Sequence, residues 1–280
     1  MFDIKSNISV NAVFFLSSDV EEDGGQSMKL AEDIHLLANV SDCDFFPRDV
    51  ANRKELVDQL LEIDRQCSYN DVYPIIHFNF HGHETKGLYL SSGTYMSWDE
   101  LSKYLKAINK TLKNNLAVFF TTCHSARAFN DKNIEIDDIT PYSYMVAPER
   151  RLLFSEIEEK MPSFYRELFM GGGLQRAYNT LGNNYFLYHS ELMFAEIMIN
   201  YLKSQCLGVG RERNINRFVD VAISKGVART DENLLELRKA AEKAFTPDQE
   251  YFNKYLAIFL AGKHVSFSIT DLWDRAKKEA

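Results

Sequence analysis

The chain has 280 residues, 45% hydrophobic and 26% charged, with a formal net charge of −8. That length lets one large or two small domains bury a core without disulfide or metal staples. The acidic balance excludes a broadly basic phosphate-binding face, so nucleic acid is not the expected partner.

The N-terminal MFDIKSNISV lacks a basic start followed by an apolar core, so no secretory signal is read there. No apolar run approaches the ~20 residues of a spanning helix. A soluble cytoplasmic protein with no membrane partner is expected. Residues 11–17, NAVFFLS, are apolar and β-prone, and SMKLAEDIHLLANV follows as an amphipathic helix. CDFFP predicts a short strand. NRKELVDQLLEIDRQC predicts a helix capped by Asn52, with Glu55 three residues on. PIIHFNF at 74–80 and LAVFFTT at 116–122 predict strands. Between them SWDELSKYLKAINKTL opens with a capping box, Ser97 and Glu100. Trp98, Leu101, Leu105, Ile108 and Leu112 then recur on one helical face. Runs such as AVFFL and LAVFF do not alternate, as in strands covered on both faces. Strands separated by helices predict an α/β fold with a parallel sheet.

The second half continues with YSYMVA and YFLYH as strands. FSEIEEKMPSFYRELFMGG and SELMFAEIMINYLKSQC read as helices, and GGG at 171–173 as the end of one helix and the start of another. After Gly210 the pattern is helical and charged. The expected division is 1–208 and a helical extension over 209–280, with no clear linker. SDVEEDGG at 18–25 reads as a solvated acidic loop, with a wall of a cleft for basic peptides as its functional alternative. It lacks the spacing of a calcium loop.

In open α/β sheets, sites form beyond the carboxyl ends of strands. PIIHFNF ends at His81-Gly82, and LAVFFTT ends at Cys123-His124-Ser125. If the intervening helix sets these strands side by side, His81 and Cys123 face each other. A thiol with an imidazole in reach is what nucleophilic cysteine catalysis needs. Gly82 would admit a substrate closely, and its N–H and that of Cys123 would serve an oxyanion. Against this, a lone cysteine ending a buried strand is usually a small core residue. The pairing with His81 carries the signal. The four cysteines, Cys43, Cys67, Cys123 and Cys206, include no CxxC pair, so neither a zinc ribbon nor a disulfide framework is suggested. Scattered thiols fit a reducing compartment.

IHFNFHGHETKGLYL, then a capped helix, then LAVFFTTCHSA resembles the core of caspase-like cysteine peptidases, nearest the bacterial CHAT group, with metacaspases as neighbours. FYRELFMGGGLQRAY resembles a helix, glycine turn and helix late in the CHAT domain. The resemblance implies a caspase-like three-layer α/β/α fold over roughly residues 10–205, with His81 as base, Cys123 as nucleophile and a short hairpin after His81-Gly82. It implies a protein or peptide substrate, no cofactor, and a role in bacterial defence or cell death. TTCHSA departs from the caspase Gln-Ala-Cys motif. Thr121 and Thr122 stand where metacaspases carry acidic pocket residues, and Phe80 stands where the family often has Gly.

His77 reads as a core or supporting histidine, and His83, His124 and Ser125 as residues beside the site. The rival reading of a metal hydrolase rests on His77, His81 and His83, which share strand parity and with Cys123 or His124 offer a zinc set. It requires the chain to stay extended through Gly82, where a turn is expected. A further reading is a latent or inactive caspase-fold signalling module, switched on by a protein partner at the C-terminal helices. NDKNIEIDDITPY at 130–142 is a polar loop in a region often cut on activation in such enzymes.

Overall fold

The computed structural model describes residues 8–18, 26–126 and 134–279. The non-alternating apolar runs form the strands that the sequence predicts. β1 (Ala12–Ser17), β2 (Asp44–Asp49), β3 (Pro74–Asn79), β7 (Ala117–Phe120), β8 (Tyr144–Pro148) and β9 (Tyr185–His189) build one sheet in the order β2-β1-β3-β7-β8-β9. All pairs are parallel except β8 with β9, so the sheet is mixed and mostly parallel. Every residue of β1, β7 and β8 is buried, as strands covered on both faces must be. The chain is of the α/β class.

Helices supply the cover. On one face α1 (Gln26–Val40) and α4 (Phe154–Glu167) pack Leu30, Ile34, Met161 and Phe164 against Val13, Ile75 and Phe119. Each such side chain contributes about 1.5–3 kcal/mol by leaving water. α2 (Arg53–Tyr69) and α3 (Trp98–Thr111) are capped as expected. Asn52 accepts from the Glu55 N–H at 3.1 Å, and Ser97 from the Glu100 N–H at 3.2 Å. Trp98 meets Phe120 edge-on, at 6.5 Å between centroids.

β1 leads through α1 to β2 on one side and neighbours β3 on the other. This reversal of strand order opens a crevice beyond the carboxyl ends of β1 and β3. There the chain corrects one expectation. It does not turn at Gly82. It leaves the large sheet at Phe80 and continues extended as β4 (His81–His83). With β5 (Gly87–Tyr89) and β6 (Tyr95–Met96), β4 forms a small antiparallel sheet. The turn comes after His83.

Two of the long predicted helices end in π-helical turns, at residues 168–172 and 202–206, and α5 (Gly173–Asn179) follows the first. Met170 and Gly171 leave helical geometry there, Gly171 at φ 83°, so the glycines do interrupt the helix.

The chain divides into two compact units, and the first of them holds residues up to Ser190 together with 260–262. The second unit comprises residues 191–259 and 263–280, mostly helical: α6 (Ser190–Tyr201), α7 (Gly208–Ser224), α8 (Asp231–Ala244), α9 (Gln249–Phe259) and α10 (Ile269–Glu279). It has its own aromatic centre, Phe194 against Phe252 and Phe259. Lys263 pairs with the largely buried carboxylate of Glu191 at 3.1 Å. Among the described residues no helix is long and apolar enough to cross a membrane.

Candidate active site

β3 and β7 are direct neighbours in parallel register, Phe78 opposite Phe120, so both strands end at one level. The Thr121 N–H carries the ladder one step further to the Phe78 carbonyl at 3.0 Å. Beyond that, side chains replace backbone pairing. The Phe80 N–H donates to the Thr122 hydroxyl at 3.3 Å, and that hydroxyl donates to the Phe78 carbonyl at 3.2 Å. This side-chain bonding is why the strand expected over 116–122 closes at Phe120.

The two strand ends meet backbone to backbone. Gly82 lies so near Cys123 that a β-carbon on it would stand 2.1 Å from the Cys123 carbonyl oxygen and 2.6 Å from Thr122 Cγ2. Only glycine permits this approach. After Cys123 the chain reverses through His124, whose φ of 62° is uncommon for a residue with a side chain. The Ser125 hydroxyl, fully buried, closes the turn on the Thr122 carbonyl at 2.8 Å. Cys123 is thus the half-buried tip of a tight turn.

A cavity of about 260 Å³ opens at this place, lined by both His81 and Cys123. Ser27, Asn79 and Thr121 line it with neutral polar groups, and Phe80 and residues 152–154 with apolar ones. Phe80 is buried and forms part of the wall. Arg151 lines the cavity too, and no carboxylate does among the described residues. The loop after β8 that carries Arg151 is held by Glu156. Its carboxylate accepts from the Leu153 N–H at 3.0 Å and from Arg150 at 2.9 Å. These contacts hold the Glu156 carboxyl below the usual carboxylate range, the Leu153 N–H first among them.

The other histidines do not join the pair. His77 is fully buried, with Nδ1 2.8 Å from the Tyr165 hydroxyl and Nε2 3.3 Å from the Thr121 hydroxyl. Burial pushes its pKa down to about 3, so it is a neutral core group. His83 Nδ1 accepts from the Thr85 and Lys86 N–H groups at 3.2 and 3.3 Å, which shapes the turn after β4. Trp98 Nε1 donates to the His83 carbonyl at 3.1 Å. The zinc set of His77, His81 and His83 is therefore corrected. The chain does stay extended through Gly82, but the break at Phe80 moves His81 and His83 to another sheet, and both His77 nitrogens face hydroxyls. Among the described residues no three metal-ligating groups gather. His124 lies beside Cys123 with a buried Nδ1 that has no partner among the described residues.

Sequence reasoning did not find Tyr185. It is buried on β9, and its hydroxyl has no partner among the described residues. Burial raises its pKa most, followed by the negative charge of Glu156. Ser27, Asn79 and Arg151 were missed as well, and only their positions beside strand ends or a helix start marked them. The acidic residues 19–25 and the first part of the 130–142 loop lie outside the described residues.

No protein-family model matches the chain, and no curated protein matches it significantly.

Proposed function

We propose that the chain is a cysteine endopeptidase of caspase-like type, in which Cys123 and His81 act as a dyad. The close approach of Gly82 to Cys123, with both strand ends opening on one cavity, carries this reading. It binds a protein or peptide substrate, and the dyad needs no cofactor.

His81 takes the thiol proton, and the Cys123 sulfur attacks the scissile carbonyl carbon. The carbonyl oxygen becomes an oxyanion, for which the N–H groups of Gly82 and Cys123 are the proposed donors. The imidazolium returns its proton to the departing amine, leaving a thioester on Cys123. Water then gives its proton to His81 and attacks the thioester. Carboxylate product leaves and the thiol re-forms. His77 is unsuited to the base role, because both its nitrogens are engaged and its surroundings suppress its charge.

The first experiment is the alkylation rate of each cysteine against pH, by peptide mapping, in the native chain and in His81→Ala. Cys123 is expected to react fastest near neutrality and to lose that advantage without His81. Alkylation of Cys123 like an ordinary thiol of pKa about 8.5 in both proteins ends the dyad assignment and favours a latent module.

A further inference from the structure

A chain of hydrogen bonds runs from the core to the cavity floor. It starts at Tyr165, whose hydroxyl is 2.8 Å from His77 Nδ1, and passes from His77 Nε2 to the Thr121 hydroxyl at 3.3 Å. The Thr121 hydroxyl lies 2.5 Å from Asn79 Oδ1, and Asn79 Nδ2 lies 2.6 Å from the Ser27 hydroxyl. Tyr165 and His77 are fully buried, whereas Thr121, Asn79 and Ser27 line the cavity.

The Thr121 hydroxyl also lies 3.3 Å from the Phe78 carbonyl, but Asn79 Oδ1 at 2.5 Å is the nearer acceptor, and along this chain the hydrogens run in one of two directions. The inward direction needs the Asn79 amide turned over: Ser27 then donates to Asn79 Oδ1, Asn79 Nδ2–H to Thr121, Thr121 to His77 Nε2, and His77 Nδ1–H to Tyr165. The Tyr165 hydrogen, fully buried, then has no acceptor among the described residues. A buried orphan donor of that kind is costly. If every donor points outward, Tyr165 donates to His77 Nδ1, His77 Nε2–H to Thr121, Thr121 to Asn79 Oδ1, and Asn79 Nδ2–H to Ser27. Every buried hydrogen is then satisfied. The hydrogen that remains is that of Ser27, at the cavity floor, beside the second amide hydrogen of Asn79. The outward direction wins.

We infer that this buried chain fixes the cavity floor as a hydrogen-bond donor, so that the peptidase selects substrates whose side chain ends in an acceptor oxygen and disfavours basic ones. The inference rests on the peptidase reading and deepens it. The cavity of about 260 Å³ suits one such side chain, and the Arg151 guanidinium lining it opposes a cationic one. The acceptor oxygen belongs to a carboxylate or to a carboxamide, and Arg151 distinguishes them, because only the carboxylate carries charge. Tyr165 acts as a positioning residue: it touches no substrate, and by donating to His77 Nδ1 it puts the imidazole hydrogen on Nε2 and leaves the Thr121 hydroxyl to donate to Asn79.

The test uses peptidyl acyloxymethyl ketones with Asp, Asn, Leu or Lys beside the reactive ketone, with labelling of Cys123 read by mass spectrometry. Labelling needs the thiol and the cavity but no completed turnover. Asp and Asn probes are expected to label at least tenfold faster than Lys. Tyr165→Phe should erase most of that preference and leave the iodoacetamide rate at Cys123 as it was. Arg151→Gln should slow the Asp probe and spare Asn if the carboxylate is the natural group, and slow neither if the carboxamide is. Nitrogen-15 NMR of His77 adds a readout free of substrate: Nε2 protonated and Nδ1 bare in the native chain. A Lys probe that reacts fastest, an intact preference in Tyr165→Phe, or a proton on His77 Nδ1 each overturns the inference. Labelling by iodoacetamide and by no peptidyl ketone overturns the peptidase reading itself.

Discussion

Gly82 and Cys123 touch through their backbones, with room for a hydrogen and no room for a methyl group: a β-carbon would be 2.1 Å from the Cys123 carbonyl oxygen. Backbone atoms cannot yield as a flexible side chain does, so Gly82→Ala must push β4 away from the Cys123 turn. His81 moves with β4. Misplacing a catalytic group by about 1 Å can cost on the order of 100-fold in rate. Gly82→Ala is therefore expected to lower turnover, and the neutral-pH alkylation of Cys123, by about 100-fold. The melting transition should remain cooperative, because the contact lies beyond the carboxyl ends of β3 and β7, outside their ladder. Unchanged alkylation would show that the approach does not position the dyad.

His77 couples stability to acid. Its pKa falls from 6.5 in the unfolded chain to about 3 in the folded one, through burial. Between these values the unfolded state binds more protons, so folding stability rises with pH and is fully present above about 6.5. Acidification through that window removes about 1.4 kcal/mol per pH unit for this one group. His77→Gln, which cannot titrate, is expected to show a shallower loss of stability from pH 6 to 4. Urea unfolding at several pH values measures the slope, and equal slopes in the two proteins would remove His77 as its source.

The central strands were legible because their chemistry is local. AVFFLS and AVFF have no polar side to present to water, and Ser97 and Glu100 mark the start of α3 within four residues. That His81 and Cys123 line one cavity was foreshadowed by two strand ends and one helix-length crossover. What stayed hidden depends on distant partners. His77 reads in the sequence as a core or supporting histidine with a metal set as its rival, and only its distant partners, Tyr165 and Thr121, 88 and 44 residues away, decide between them. The strand seemed to run through Thr122 because nothing local signals that the threonine hydroxyls take over the ladder's bonds. The glycines at 171–173 mark a helix end in the sequence, but nothing local shows that the last turn, 168–172, is π-helical. Its necessity lies in Gly172, where a β-carbon would be 2.7 Å from the Glu167 carbonyl oxygen.

The crossover helix should be separable from the chemistry. Ser97 caps α3 by accepting the Glu100 N–H at 3.2 Å, and α3 buries Leu101, Leu105 and Ile108 in the core. Ser97→Ala leaves that N–H without its partner and is expected to cost about 1 kcal/mol of stability. Cys123 alkylation in the folded protein should not change, since α3 sets the order of β3 and β7 and touches neither residue of the dyad through Ser97. A denaturant midpoint moved down with constant m, alongside an unaltered alkylation rate, is the expected pair of results.

The loop carrying Arg151 and residues 152–154 over the cavity is tied down by Glu156, together with Arg150, which donates to Asn184 and to the Arg151 carbonyl. Glu156 accepts from the Leu153 N–H, from Arg150 and, at 3.2 Å, from the Asn184 amide, which joins the end of β8 to the turn before β9. The Leu153 N–H most of all, and the Arg150 guanidinium after it, favour the ionised form and lower the Glu156 pKa. The ordering they provide is therefore present above the ordinary carboxylate range and is lost as pH falls through the lowered value. Glu156→Ala frees the loop without entering the cavity. Substrate binding should weaken severalfold while the chemical step at Cys123 continues, so KM rises and kcat holds. Acidification should raise KM in the native chain and leave that of Glu156→Ala flat over the same range. If kcat falls in proportion to the rise in KM, the loop acts on the dyad itself and its role in holding substrate must be abandoned.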